Sequence, residues 1–246
     1  MCRHGGLPSV MTMKNTKNAV ITGASRGLGL ALARGLAAEG WSLVIDARDA
    51  SALRDAEREL AERTEVRAVP GDVSDVAHRD ALLNAVREFG RLDLLVNNAS
   101  LLGPSPQPAL GAYPLDVLEQ VYRVNTVAPL ALFQLALPML EESKGRVINI
   151  TSDAAVEAYE GWGGYGSSKA ALEQLTRILA VEHPALPIYL VDPGDLRTQM
   201  HQDAFPGEDI SDRPPPEVAV PGLLELADGE RPSGRYRAQA IGGEAS

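Results

Sequence analysis

NAVITGASRGLG, the sequence of residues 18–29, decides the fold class of this chain. Its first five residues form a short apolar run that predicts a buried strand, and apolar residues at helical spacing begin at Leu28. Three glycines lie between the two, namely Gly23, Gly27 and Gly29. Glycine permits a tight turn and a close approach to the backbone, so we expect a strand, a glycine turn and a helix in succession.

The same alternation of apolar runs and helical segments continues along the chain. Strands are predicted at residues 18–22, 42–47, 66–69, 92–96, 146–151 and 188–191. Helices are predicted at residues 28–39, 51–63, 76–89, 117–140, 164–182 and 216–227. Such a βαβα succession implies parallel strands joined by right-handed crossovers. We therefore expect an α/β fold of the Rossmann type, a doubly wound parallel sheet with helices on both faces and ligands at the carboxyl ends of its strands.

The length of 246 residues fits one domain of this class. The predicted boundaries are 1–16 for a disordered N-terminal tail, 17–240 for the domain and 241–246 for a second tail. Residues 101–114 carry four prolines and are predicted to form a loop, and residues 200–216 are predicted to form a loop that acts as a lid. Residues 228–246 are polar and are expected to be weakly structured.

Composition argues against several classes of function. The chain is 45% hydrophobic and 23% charged, as soluble globular proteins are, and its net charge is −10. The negative field disfavours nucleic acid or an anionic membrane as a partner. The first thirteen residues contain no long apolar run, so neither a signal peptide nor a membrane helix is expected. Cys2, the single cysteine, favours the cytoplasm, and Cys2 with His4 is too small a set for a metal, so no metal site is expected.

Three polar residues further along the chain indicate chemistry. Tyr165 and Lys169 are four residues apart in a predicted helix, so they share a face, and the Lys169 ammonium is expected to lower the pKa of the Tyr165 phenol. A phenol with an ordinary pKa of about 10 could then exchange a proton near neutral pH. Ser152 follows a predicted strand thirteen residues before Tyr165. The alternative for Tyr165 and Lys169 is a chance pair on an exposed helix face.

Together with the glycine turn, these residues resemble the short-chain dehydrogenase/reductase family, in its short, single-domain branch. The resemblance runs from about Lys17 to Thr198. It implies an NAD(P)-dependent oxidoreductase that acts on CH–OH and C=O groups. It also implies a homodimer or homotetramer, formed through the helices that begin near Asn125 and Gly164.

The resemblance assigns a role to each candidate catalytic residue. Tyr165 would donate the proton that the carbonyl oxygen needs after hydride transfer, and Ser152 would hydrogen-bond that oxygen. Lys169 would also bind the hydroxyls of the nicotinamide ribose. Asn125 matches the asparagine that holds a water beside the lysine, although a helix-capping or kink residue is an equal alternative for it.

The resemblance also implies cofactor-binding residues at the glycine turn and after later strands. They are Gly23, Ser25, Arg26, Gly27, Leu28, Gly29, Arg48, Asp72, Val73, Asn98, Ala99, Tyr165, Lys169, Pro193, Gly194 and Thr198. Asp72 could instead be a turn or helix-capping residue. Ser100 stands where the family has a glycine, so its loop is expected to differ slightly. Gly242 and Gly243 lack the preceding aspartate of the family, so the last strand is expected to be shortened or rebuilt.

The choice between NAD and NADP depends on the charge around the adenosine 2′ position. A carboxylate accepts hydrogen bonds from the ribose hydroxyl and repels a 2′-phosphate, whereas a guanidinium binds that phosphate. Ala47, and not Asp46, occupies the position where NAD-type relatives carry their acid. Arg48 and Arg26 match basic positions of NADP-type relatives, so we predict NADP, with NAD possible. The alternative is that the two arginines pair with surface acids.

A moderately apolar group of side chains is expected to border the substrate. It comprises Leu101, Leu102, Tyr159, Trp162, His201 and Phe205. The prediction is therefore an NADPH-dependent reduction of a ketone or aldehyde, with no metal. An NAD-linked alcohol dehydrogenase is the first alternative. A regulator that keeps the fold and binds nucleotide without turnover is the second, and intact Ser152, Tyr165 and Lys169 argue against it.

Overall fold

The structure is a computed structural model that describes residues 16–241. The predicted tail before residue 16, the pair Cys2 and His4, and the glycine pair Gly242 and Gly243 lie outside the described residues.

A single parallel sheet of seven strands forms the centre of the fold. Its strands are β1 Asn18–Ile21, β2 Ser42–Ala47, β3 Val66–Pro70, β4 Leu94–Asn97, β5 Arg146–Ile150, β6 Ile188–Asp192 and β7 Gly234–Arg237. Their order across the sheet is β3-β2-β1-β4-β5-β6-β7. Val20 lies opposite Val44 on one side and Leu95 on the other. The strand order therefore switches between β1 and β4, and the prediction of a doubly wound sheet is confirmed.

Helices cover both faces of this sheet. They are α1 Gly27–Ala38, α2 Ala50–Leu60, α3 Val76–Phe89, α4 Leu115–Tyr122, α5 Ala128–Ser143, α6 Gly163–Glu182, α7 Gln199–Ala204, α8 Val220–Asp228 and α9 Ala238–Ile241. Successive residues of a strand point to opposite faces. Accordingly Ile21 belongs to a core with α1, α2, α8 and α9, and Val20 to a second core with α3 and α5. Both faces of the sheet are buried beneath helices, which explains the nearly continuous apolar runs of the strands.

The predicted helix at 117–140 is interrupted. Residues Arg123–Val127 form a π-helical segment between α4 and α5. The whole stretch Leu115–Ser143 is long and apolar enough to cross a membrane by length and composition alone. Leu132 and Phe133 pack in the core against the sheet, which accounts for this apolar character.

Two secondary-structure predictions for the C-terminal third are wrong, whereas the lid role of residues 200–216 stays a prediction. The segment expected to be a lid loop begins with the short helix α7, which Thr198 caps by accepting a hydrogen bond from the His201 amide. The tail expected to be weakly structured contains β7 and α9, and Asp192 of β6 lies opposite Arg237 of β7. β7 has only four residues, two of them arginine, so it lacks an apolar pattern and only pairing with β6 reveals it.

Candidate active site

The glycine turn lies at the carboxyl end of β1. Gly23 and Gly27 have φ angles of 67° and 56°, a region that side-chain-bearing residues rarely adopt. A Cβ at Gly29 would lie 2.4 Å from the carbonyl oxygen of Gly23. The Asn98 amide donates to the carbonyl oxygens of Thr22 and Gly23, at 2.8 and 3.0 Å, and so fixes the turn against the end of β4. The sequence prediction of a tight turn that only glycine can form agrees with this geometry.

The N-terminus of α1 follows the turn and offers backbone donors. Arg26 is the N-cap residue, and its side chain makes no capping hydrogen bond. The first amides of a helix have no partner within the helix and favour an anion. Thr198 lies across from them, since its Cγ2 atom would be 3.6 Å from a Cβ at Gly27. These residues fit a pyrophosphate, because the first amides of α1 favour an anion and positions 23, 27 and 29 carry no side chain.

Asp46 is directed into the protein. One carboxylate oxygen accepts a hydrogen bond from the Gly23 amide at 2.6 Å, and the other lies 2.9 Å from His78 Nε2. Burial raises the pKa of Asp46, while the hydrogen bonds from His78 and Gly23 act in the opposite direction. The carboxylate thus holds the glycine turn to α3. The contact between His78 and Asp46 was not predicted from the sequence, because thirty-two residues separate the two.

The predicted basic positions lie at the open edge of this site. Arg26 and Arg48 are exposed, and within residues 16–241 neither guanidinium forms a hydrogen bond or an ion pair. Hydrogen bonds from the Ala52 and Ser51 amides lower the pKa of Asp49, and Arg26 adds to this effect. Neither arginine is therefore held by a surface acid in a close ion pair, although Arg26 lies near Asp49 and Arg48 near Asp72.

Asp72 and Val73 follow β3, as predicted. Burial opposes ionisation of Asp72, but hydrogen bonds from Ser74, with Arg48 and His78 nearby, outweigh it and lower the pKa of Asp72. Asp72 accepts the Ser74 amide at 2.8 Å, which is the turn-stabilising alternative stated for it. Val73 is buried, and its carbonyl oxygen accepts from Arg79.

Tyr165 and Lys169 lie on one face of the first turns of α6. The Lys169 Nζ atom is 5.6 Å from the centre of the Tyr165 ring and donates to the carbonyl oxygen of Ile150, at 2.8 Å. Both side chains are buried, Tyr165 to 7% exposure and Lys169 to 2%. The alternative of an exposed chance pair is therefore excluded.

The two pKa values differ from the sequence expectation. Burial raises the pKa of Tyr165 to about 12, and Asp153 and Asp192 add to this, while the hydroxyls of Ser100 and Ser152 offset part of it. Burial also lowers the pKa of Lys169 to about 7. The expectation that Lys169 lowers the pKa of Tyr165 is wrong for this structure, because desolvation disfavours the charged form of each group.

Ser152 follows β5, and its neighbour Asp153 is an acid that sequence reasoning missed. The Ser152 hydroxyl donates to Asp153 at 2.9 Å, and the Tyr159 hydroxyl donates to the other oxygen of Asp153 at 3.1 Å. Ser100, the residue that replaces a glycine, also faces Tyr165 and donates to Asn125 at 3.2 Å. The sequence feature that could have indicated a role for Ser100 is that a serine stands where the family has a glycine.

Asn125 lies in the π-helical segment and is fully buried. Its side-chain oxygen accepts from the Leu101 amide at 2.7 Å, and its nitrogen donates to Leu101 O and Ser168 Oγ at 2.9 and 3.0 Å. Asn125 therefore joins the loop after β4 to α6. This placement supports the kink alternative, and the water-holding role stays a prediction.

Aromatic rings adjoin Tyr165. Trp162 is central, with its ring centre 5.8 Å from Tyr165 and 5.9 Å from Phe205 of the segment after α7. Tyr159 lies 6.5 Å from Trp162, and His201 lies 5.0 Å from Phe205. Leu102, Met200 and Ala204 pack with Tyr165 and Trp162, and Met200 and Ala204 were not predicted. Leu101 is partly buried and meets the site through its backbone contacts with Asn125.

The segment after β6 completes the site. Gly194, with a φ of 76°, donates its amide to Asp192 at 3.0 Å, and Pro193 precedes it in the same turn. Among residues 16–241 there is no group of three or more His, Cys, Asp or Glu side chains placed to hold a metal ion.

Known proteins resemble this chain in sequence and structure. The family profile described as short chain dehydrogenase matches residues 17–209. A 3-oxoacyl-acyl-carrier-protein reductase of rhamnolipid biosynthesis from Pseudomonas aeruginosa is 39% identical over 191 residues, which cover 74% of this chain and 73% of that protein. Sepiapterin reductase of Mus musculus is 36% identical over 197 residues, with coverage of 74% and 76%.

The fold resembles solved structures over nearly its whole length. A short chain dehydrogenase from Shigella flexneri, solved in complex with NADP, superposes with a TM-score of 0.83 at 28% identity, covering 91% of this chain and 97% of that one. The predictions of the family and of an oxidoreductase acting on CH–OH and C=O groups are confirmed by these similarities. The chain belongs to the short chain dehydrogenase family.

Proposed function

We propose that this oxidoreductase reduces a ketone or aldehyde to an alcohol with NADPH. The observation that carries the proposal is the arrangement of the buried Tyr165 and Lys169 with the partly buried Ser152 at the carboxyl edge of the sheet, beside the glycine turn. Pro193, Gly194 and Thr198 would bound the nicotinamide end of the cofactor, and Asp72, Val73 and Ala99 its adenosine side. NADPH would supply the hydride to the carbonyl carbon.

The residues of the chain would manage the proton. Tyr165, whose pKa of about 12 keeps it protonated at neutral pH, would give its proton to the carbonyl oxygen. Ser152 would donate a hydrogen bond to the same oxygen and stabilise its developing charge. Lys169, with a pKa of about 7, can gain and lose a proton near neutral pH and would restore the proton of Tyr165. Asn125 would hold the loop and helix that bear these groups.

The preference for NADPH rests on the charges around the end of β2. Arg26 and Arg48 are exposed guanidinium groups at the open edge of the site. Asp46, the acid that could instead favour NAD, is engaged by His78 and by the Gly23 amide. Asp46 is 1% exposed, so its carboxylate is turned away from a ribose hydroxyl at the surface. The two exposed arginines remain as groups suited to a 2′-phosphate.

The first experiment is a titration of the purified protein with NADPH and with NADH, followed by nicotinamide fluorescence. Tighter binding of NADPH is expected. Tighter binding of NADH would reject the assignment of Arg26 and Arg48 and favour an NAD-linked alcohol dehydrogenase. Binding of either nucleotide without turnover of any carbonyl would favour the non-catalytic regulator.

Arg48→Gln is expected to weaken NADPH binding and leave NADH binding nearly unchanged. A hydrogen bond to a charged group contributes about 1.5–3 kcal/mol, so the Kd for NADPH should rise roughly 10- to 150-fold. Arg58→Gln is the matched control, because Arg58 lies on α2 and pairs with Asp55 on the surface at 3.3 Å. Equal losses for both nucleotides in Arg48→Gln would contradict the proposal.

The aromatic cluster around Trp162 favours an aromatic carbonyl compound as the substrate. A flat ring packs well against Trp162 and Phe205, which both lie within 6 Å of a neighbouring ring. A suitable panel pairs 1-phenyl-1,2-propanedione with 2,3-hexanedione, and adds a 3-oxoacyl thioester and sepiapterin because relatives are named for them. We expect the lowest KM for the aromatic diketone. A lower KM for the aliphatic diketone would reject an aromatic site.

We also propose that the protein is a homodimer or homotetramer in the cytoplasm. Val127, Ile178 and Val181 are 53%, 44% and 80% exposed, and exposed apolar side chains that form one patch mark a subunit interface. The molar mass by light scattering tests the oligomer.

A further inference from the structure

Arg235, on the short strand β7, contacts three different parts of the active site. Its Nε atom donates to Glu173 of α6 at 2.9 Å. Its Nη2 atom donates to the carbonyl oxygen of Ser152 at 3.1 Å and to Asp192 at the end of β6 at 3.2 Å. The planar guanidinium can serve these acceptors at once because its donors are held in a fixed fork. Few side chains could join a strand end, a helix and a second strand end in this way.

Each acceptor of Arg235 adjoins a residue of the proposed mechanism. Ser152 is itself the proposed donor to the carbonyl oxygen. Glu173 lies one helical turn after Lys169 and also accepts from Thr151 at 2.9 Å, so it links α6 to the end of β5. The other oxygen of Asp192 accepts the Gly194 amide, in the turn proposed to bound the nicotinamide.

The charges require a partner for these acids. The side chains of Glu173 and Asp192 are 1% and 5% exposed, and a buried carboxylate without a charged partner is costly. Arg177 also pairs with Glu173, and Arg237 lies 3.8 Å from Asp192. Of the arginines in residues 16–241, Arg235 is the one that pairs with both acids and also binds Ser152.

We propose that Arg235 is a positioning residue for carbonyl reduction, which fixes Ser152 relative to the catalytic helix α6 and to the Asp192–Gly194 turn. The inference rests on the proposed function for its kinetic readout. Catalysis needs the hydroxyl of Ser152 and the phenol of Tyr165 at one oxygen atom, so a small shift of either is expensive in rate. Through Arg235, the C-terminal strand β7 contacts Ser152, a residue of the proposed mechanism.

The test compares Arg235→Ala with Arg237→Ala, a loss of the same charge two residues away on the same strand. The Arg237 side chain is 72% exposed, and within residues 16–241 its one ion pair is with Asp192, which makes it a close control. Arg235→Ala is expected to lower kcat about 10- to 100-fold with little change in the KM for 1-phenyl-1,2-propanedione. Added guanidinium at low millimolar concentration is expected to restore part of kcat in Arg235→Ala and to leave wild type and Arg237→Ala unchanged.

Arg235→Lys is a second, milder variant that keeps the test possible if Arg235→Ala does not fold. A lysine keeps the charge but cannot span the three acceptors, so its kcat is expected to lie between those of wild type and Arg235→Ala. A kcat of Arg235→Ala within twofold of Arg237→Ala, a kcat of Arg235→Lys below that of Arg235→Ala, or no rescue by guanidinium, would overturn the proposal.

A second readout needs no turnover. Amide hydrogen exchange in peptides covering residues 152–156 and 192–197 is expected to quicken in both Arg235 variants, and not in Arg237→Ala. Unchanged exchange there would overturn the proposal even if wild type reduced none of the carbonyls tested. Failure of wild type to reduce any carbonyl, with quickened exchange in the variants, would instead reject the proposed function and retain the positioning role.

Discussion

Tyr165→Phe is expected to lower kcat for carbonyl reduction by about 10²- to 10⁴-fold, the range typical of a lost general acid. The phenyl ring preserves the packing against Trp162 and Leu102 but has no proton to give. The Kd for NADPH is expected to change little, because the variant retains the glycine turn, Arg48 and Lys169. Steady-state kinetics with 1-phenyl-1,2-propanedione and a fluorescence titration measure the two quantities.

Tyr236→Phe is the matched control for this experiment. The Tyr236 ring packs against the core, and its hydroxyl donates an exposed hydrogen bond to the carbonyl oxygen of Pro232 at 2.7 Å, so the residue has no part in the proposed mechanism. Its kcat should equal that of wild type within about twofold. Full turnover by Tyr165→Phe would remove Tyr165 from the mechanism and require another acid.

Lys169→Met is expected to abolish most activity and at the same time to stabilise the fold. Lys169 is 2% exposed, and burial lowers its pKa to about 7, which means that the folded protein disfavours its charge. Methionine fills a similar volume without a charge. We expect the Tm at pH 7 to rise by roughly 2–8 °C, as sites held in place for function often lower stability. Thermal unfolding and turnover assays of the same preparation test both parts.

The pH dependence of this stabilisation has a definite sign. Above a pH of about 7 the folded protein has released the Lys169 proton, whereas the unfolded chain holds it up to the ordinary value of 10.5. The unfolded state binds more protons in this window, so the stability of wild type rises with pH from about 7 toward 10.5. The advantage of Lys169→Met should therefore be greatest below pH 7 and shrink as the pH increases.

Lys17→Met separates this effect from a general loss of lysine. Lys17 is half-exposed, pairs with Asp228 and lies over the Trp41 ring at 5.3 Å. Its removal should leave Tm unchanged or lower it slightly, because exposed ion pairs contribute about 0–1 kcal/mol. A Tm that falls in Lys169→Met at every pH would mean that the hydrogen bond to Ile150 outweighs the cost of burying the charge.

Features set by residues close together in the chain were predicted from the sequence, whereas features set by distant residues were not. The strand–turn–helix at residues 18–29 and the pair Tyr165 and Lys169 are local patterns, and both were placed correctly from the sequence. Helical periodicity and the steric needs of a tight turn act over a few residues, so they can be recognised without the rest of the fold. The five residues 200–204, expected in a loop and found in α7, and the tail that contains β7 are errors in segments with no clear periodicity.

The partners of charged side chains are not local patterns, because they come from segments far apart in the chain. The sequence by itself determined the family, the sheet with its helices and the set of residues proposed to bind the cofactor and transfer the proton. Only the tertiary structure decided that Asp46 faces His78 and that Arg235 reaches Ser152. It also decided that burial raises the pKa of Tyr165 and lowers the pKa of Lys169. Those outcomes depend on which strand ends and helices become neighbours, and on the water excluded between them, because desolvation and pairing act between groups far apart in the chain.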